Sequence, residues 1–97
     1  MIRIVKMTFE PERVQDFLTI FEASKEKIRA REGCKHLELW QDQKHENVFF
    51  TYSIWEGPEF LEMYRQSELF TNVWRDTKAL FAEKAKAWSV EKKIVVE

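Results

Sequence analysis

The sequence is poor in the residues that usually build covalent or catalytic devices: one cysteine, two glycines, two prolines and two histidines among 97 residues. A single thiol cannot close an internal disulfide, and no metal-binding Cys/His spacing surrounds Cys34, so a reducing, cytoplasmic setting is expected. With so little Gly and Pro, loops are expected to be short, no flexible linker is available, and residues 1–97 are expected to form one domain. The opening stretch MIRIVKMTF alternates regularly and falls well short of the roughly 20 apolar residues that a membrane span requires. Charge of one sign is missing as well. Sixteen Lys and Arg are interleaved with seventeen Asp and Glu for a net charge of -1, so no basic field exists for nucleic acid or an anionic membrane. No Ser-His-Asp constellation, phosphate loop or metal cluster is visible, and neither a metal nor a cofactor is expected.

What is present is patterning. MIRIVKMTF reads as a first strand ending near Phe9. Glu10 and Pro11 open a helix, because Pro at the first helical position gives up no needed hydrogen bond. Val14, Phe17, Leu18, Phe21 and Ile28 supply its apolar stripe, and Gly33 stops it. CKHLELWQD is a second strand, QKHEN a polar turn, and VFFTYSIWE a third strand paired to the second as a hairpin. After Gly57 and Pro58 a short helix carries Phe60, Leu61 and Tyr64. A longer helix carries Phe70, Val73, Trp74, Thr77, Leu80 and Phe81 and is predicted to run to about Lys86. WSVEKKIVVE reads as a fourth strand, with Trp88, Val90, Ile94 and Val96 on one parity.

The order β-α-β-β-α-β, with the second helix broken in two, predicts an α+β ferredoxin-like fold: a four-stranded antiparallel sheet with the helices on one face. A strand half-exposed to water should alternate apolar with polar residues. The third strand does not. Val48, Phe50, Tyr52 and Ile54 point one way, Phe49 and Trp55 the other; in the first strand Ile2 and Ile4 oppose Val5, Met7 and Phe9. Aromatic side chains bury roughly 150–250 Å² each, and monomers seldom expose apolar patches beyond a few hundred Å². The expected cover is a second copy, forming a homodimer through the sheet face.

The element order, the Gly33-Cys34 step, the segment SIWEGPEFLEMYRQSELF and its S-x-x-F at Ser67 to Phe70 together resemble the antibiotic biosynthesis monooxygenase family of dimeric α+β barrels. That resemblance covers nearly the whole chain. It implies a cofactor-independent monooxygenase acting on a small aromatic or quinol-like compound, or a relative with no chemistry. Haem-degrading members carry an Asn, a Trp and a haem-ligating His where this chain has Val5, Tyr64 and Trp74. An indole offers iron no lone pair, so haem degradation by that route is not expected. A second branch bears a proton-shuttling His where Leu69 stands.

Among candidate site residues, His36 and Glu38 share a strand face and can form an acid–base pair or a polar seam. Alternation also puts Cys34 on that face, and it is read as inert packing. His45 falls in the turn. Trp55, Tyr64, Phe70 and Trp74 serve either as core or as the walls of a pocket in which Tyr64 and Trp74 orient a planar aromatic ligand. Catalytic candidates are therefore His36 and Tyr64. Two readings stand: a monooxygenase, and a non-catalytic dimeric module that binds a small ligand.

Overall fold

Alternation in the first residues sets the sheet. The computed structural model describes residues 1–97, and in it β1 (Ile2–Thr8) turns Val5 and Met7 toward the helices. Met7 and the following Phe9 join Phe17, Phe49 and Leu80 in one core cluster. Phe9 is fully enclosed and stacks on Phe17 with ring centroids 4.2 Å apart. Pro11–Arg13 make a single 3-10 turn before α1 (Val14–Arg29), so the predicted helix starts tighter and ends earlier than its sequence pattern suggested. Gly33, at φ +82°, reverses the chain; a Cβ there would stand 2.3 Å from Cγ of Phe60.

β2 (Cys34–Gln41) and β3 (Val48–Trp55) form the expected hairpin. Its turn is held by Asp42, whose Oδ2 accepts from the backbone N–H groups of Lys44 (2.9 Å) and His45 (2.8 Å). Those bonds, that from His45 foremost, hold the Asp42 carboxyl below its ordinary range. His45 thus serves the turn through its backbone.

Past Gly57, α2 (Pro58–Arg65) gives way to α3 (Glu68–Lys78) at Ser67. The Ser67 hydroxyl accepts from Phe70 N–H at 3.1 Å, so the S-x-x-F step is a helix N-cap with its aromatic at the third position. α3 stops at Lys78 rather than near Lys86. Leu80 and Phe81 continue the helical period, but the unpaired end of β1 captures this segment. Ala82 N–H donates to Thr8 O (2.8 Å), Glu10 N–H donates to Leu80 O (3.0 Å), and Phe81 bridges Phe9. The fourth strand is likewise shifted: β4 is Lys86–Val90, and Ile94, Val95 and Val96 lie beyond it, exposed.

The strands run β2-β3-β1-β4, all antiparallel, giving the predicted ferredoxin-like α+β sheet with its helices on one face. The register aligns Ile4 with Tyr52 on one side and Trp88 on the other, and Ile2 with Ile54 and Val90. All of these point away from the helices. Trp88 is 45% exposed and Trp40 40%. No helix is long and apolar enough to cross a membrane.

Candidate functional site

The inward face of the sheet changes character along its length. Around Phe9 and Phe49 it is filled by large rings. Toward the other end several inward positions, Thr51, Ser53 and Ala87, carry short side chains beside the long charged Arg3. Helix α1 and the α2–α3 pair bridge this stretch without filling it. The result is a cavity of about 470 Å³ between sheet and helices, within the size range of small-molecule sites.

Its aromatic wall is a continuous ladder. Trp55 at the end of β3 stacks on Tyr64 of α2 (centroids 5.4 Å apart), Tyr64 meets the edge of Phe70 (5.2 Å), and Phe70 stacks on Trp74 (5.8 Å). All four rings line the cavity. They are also packed against one another, so the same rings are both core and cavity wall. Trp55 is the most deeply buried of the four, and its Nε1–H donates to Ser53 Oγ at 3.0 Å. That bond spends the indole donor and orients the ring.

The Tyr64 hydroxyl and Trp74 Nε1 make no hydrogen bond to the protein, and neither is sealed from solvent. Burial pushes the Tyr64 phenol up to about 12, reinforced by nearby Cys34 and opposed by Arg31. At neutral pH Tyr64 is therefore a hydrogen-bond donor and acceptor. It is not a phenolate base.

His36 lies elsewhere. The β2–β3 register slips between Cys34 and His36: Cys34 faces Trp55, whereas His36 faces Ile54. This irregularity overturns the expectation that the two share a face. Cys34 is buried among Ile28, Trp55, Leu61 and Tyr64, and desolvation raises its thiol pKa. His36 sits on the open face of the sheet, where its Nε2 bonds Glu38 Oε2; Glu38 Oε1 accepts from Trp40 Nε1 at 2.7 Å. Those bonds, the His36 one first, hold the Glu38 carboxyl below its usual range. Trp40 stacks on Tyr52 at 4.8 Å. The structure thus brings together Trp55, Tyr64, Phe70 and Trp74 and leaves His36 on the other side of the sheet.

Arg3 and Arg65 also border the cavity, and sequence reasoning passed over both. The signal existed for Arg3, a cation on the same parity as Val5 and Met7 in a strand whose inward face should be apolar. Arg65, at the end of α2, carried none.

The fold recurs widely. A conserved protein from Methanosarcina mazei superposes with a TM-score of 0.89 at 22% identity, covering 95% of this chain and 92% of that one. A crystal structure described as an antibiotic biosynthesis monooxygenase matches at 0.87 and 20% identity, covering 95% and 98%. A protein from Pseudomonas aeruginosa gives 0.84 and 22%, covering 96% and 93%. At these identities the likeness speaks for fold alone. No match is found among curated proteins. The sequence profile of the antibiotic biosynthesis monooxygenase family, however, matches residues 1–76, from β1 through most of α3 and so across every residue of the aromatic wall. The chain belongs to the antibiotic biosynthesis monooxygenase family.

Proposed function

We propose that the chain is a cofactor-independent monooxygenase that holds a small planar aromatic or quinol-like compound in the cavity between sheet and helices. The cavity itself carries this reading: about 470 Å³, walled by stacked rings, with the Tyr64 hydroxyl and Trp74 N–H unspent. An electron-rich phenol supplies the electrons for its own oxidation by dioxygen. One oxygen atom enters the ring as a C–O bond in place of C–H, and the other leaves as water with the phenolic and ring hydrogens. The protein's task is to hold the two reactants together in a dry space, which is worth several kcal/mol of barrier. Tyr64 positions the phenolic oxygen through its hydroxyl, and Trp74 supplies a second donor.

The working unit is a homodimer joined through the open sheet face, in a cytoplasmic setting. Ile2, Ile4, Phe50, Tyr52, Ile54, Trp88 and Val90 supply an apolar surface that one copy alone leaves wet. In that assembly the His36–Glu38–Trp40 group belongs to the seam between subunits and not to the cavity chemistry.

A second reading has its own supporting observation. No His, Asp, Glu or Lys lines the cavity, so no side chain there is an evident general base. On that reading the chain is a non-catalytic dimeric module that binds the same class of ligand. Oxygen uptake with a panel of hydroquinones and naphthols separates the two. Uptake that falls tenfold or so in Tyr64→Phe and Trp74→Phe supports catalysis in this cavity. Uptake no faster than the uncatalysed rate, alongside a ligand-induced rise in melting temperature, supports the module.

A further inference from the structure

The charged residues that line the cavity are of one sign. Its twenty lining residues include two guanidinium groups, Arg3 and Arg65, and no carboxylate. Arg3 reaches the cavity from β1, half-buried, and its side chain makes a single hydrogen bond, from Nη1 to Ser89 Oγ at 3.0 Å. No carboxylate lies within salt-bridge distance of it; the one acid nearby, Glu62, is engaged by Arg65 Nη1 (3.3 Å) and Gln66 Nε2 (3.1 Å). Burial, and next the charge of Arg65, pull Arg3 below its ordinary pKa, while Glu62 pulls the other way. Arg3, partly buried beside an apolar space with no carboxylate of its own, has a free energy cost that a bound anion would offset.

We propose that Arg3, assisted by Arg65, is an anion-recognition subsite, and that the ligand of this cavity is an aromatic carboxylate whose ring lies along the Trp55–Tyr64–Phe70–Trp74 wall. The inference rests on the reading of the cavity as an aromatic-binding site and adds the ligand's charge. A carboxylate suits the site better than a neutral phenol. It is ionised at neutral pH, and the free edge of a guanidinium matches its two oxygens. Glu62 then sets the selectivity at the rim by neutralising part of the Arg65 charge, which leaves Arg3 as the principal anchor.

The test is a matched pair, 6-hydroxy-2-naphthoate and 6-hydroxy-2-naphthamide, titrated calorimetrically against the full chain. The two share ring and shape and differ in charge. The naphthoate is expected to bind about tenfold or more tightly than the amide, and added salt is expected to narrow the gap. Arg3→Gln should abolish the preference, Arg3→Lys should keep part of it, and Arg65→Gln should reduce it. Arg65 is exposed, so its variant keeps the test decisive if Arg3→Gln fails to fold. Equal affinity for acid and amide would overturn the anion subsite while leaving the aromatic cavity standing. A preference that survives both glutamine variants would also overturn it. Binding of neither compound would remove the cavity reading and the subsite together.

Discussion

Trp55 and Tyr64 stack with their ring centroids 5.4 Å apart and their planes inclined by 21°, which fastens α2 to the end of β3. Tyr64 is buried in this packing, at 9% exposure. Its phenol ionises near the ordinary value of 10 in the unfolded chain and at about 12 in the folded one. Between those values the unfolded state binds fewer protons than the native state, so the Tyr64 contribution to stability falls as pH rises from 10 through 12 and is fully present below 10. Two pK units correspond to about 2–3 kcal/mol. Urea titrations from pH 8 upward should show this loss, and Tyr64→Phe should remove the part due to Tyr64. The alkaline loss that persists in that variant is expected from Cys34, whose raised thiol pKa acts in the same direction. Near pH 7 Tyr64→Phe should leave stability within about 1 kcal/mol, since the hydroxyl has no protein partner.

Gly33 is the one residue with positive φ, and Phe60 closes over it. Gly33→Ala combines a strained backbone with a methyl group driven into the Phe60 side chain near its Cβ. The expected cost is about 1–3 kcal/mol, read as a lower urea midpoint with an unchanged slope. A midpoint equal to that of the parent would show that the α1–β2 turn relaxes without resistance from α2.

Ile4 occupies the centre of the open sheet face, between Tyr52 and Trp88. Ile4→Lys puts an unpaired charge at the proposed subunit seam and should weaken self-association at least ~100-fold. Sedimentation velocity at micromolar concentration should give a dimer for the parent chain and a monomer for the variant. A parent chain that sediments as a monomer would exclude pairing through this face.

Cys34 is 5% exposed and packed against Trp55 and Tyr64. With its thiol pKa raised, it should react with a disulfide reagent at neutral pH orders of magnitude more slowly than in the denatured chain. Rapid modification of the folded protein would mean that the turn after Gly33 opens readily.

Much of this architecture can be read from particular residues. Pro11, Gly33 and the Gly57–Pro58 pair punctuate the chain where the elements change, and the parity of β1 and β3 assigns both sheet faces correctly. Two features escape a reading by period. The Cys34–His36 slip comes from local backbone irregularity after Gly33, and one displaced residue moves a side chain through the sheet. At the end of α3, Leu80 and Phe81 keep helical spacing, but the backbone groups of Thr8, Phe9 and Glu10 pair with that segment instead. The cavity was legible only in part. Its four rings stand out in the sequence, whereas the empty volume depends on small inward residues, Thr51, Ser53 and Ala87, whose shortness signals nothing until helices span them. Arg3 was visible as a misplaced charge, and its meaning required Arg65 from a distant helix.

The most direct measurement is an anaerobic calorimetric titration of 1,4-dihydroxynaphthalene against the parent chain and an Ala87→Trp variant. Ala87 lines the cavity from the exposed edge strand β4, and an indole there is expected to fold into the space proposed for a ligand. The expected result is one site per chain in the parent and no binding in the folded variant. Identical isotherms for the two proteins, or no heat from either, would contradict a ligand site between sheet and helices.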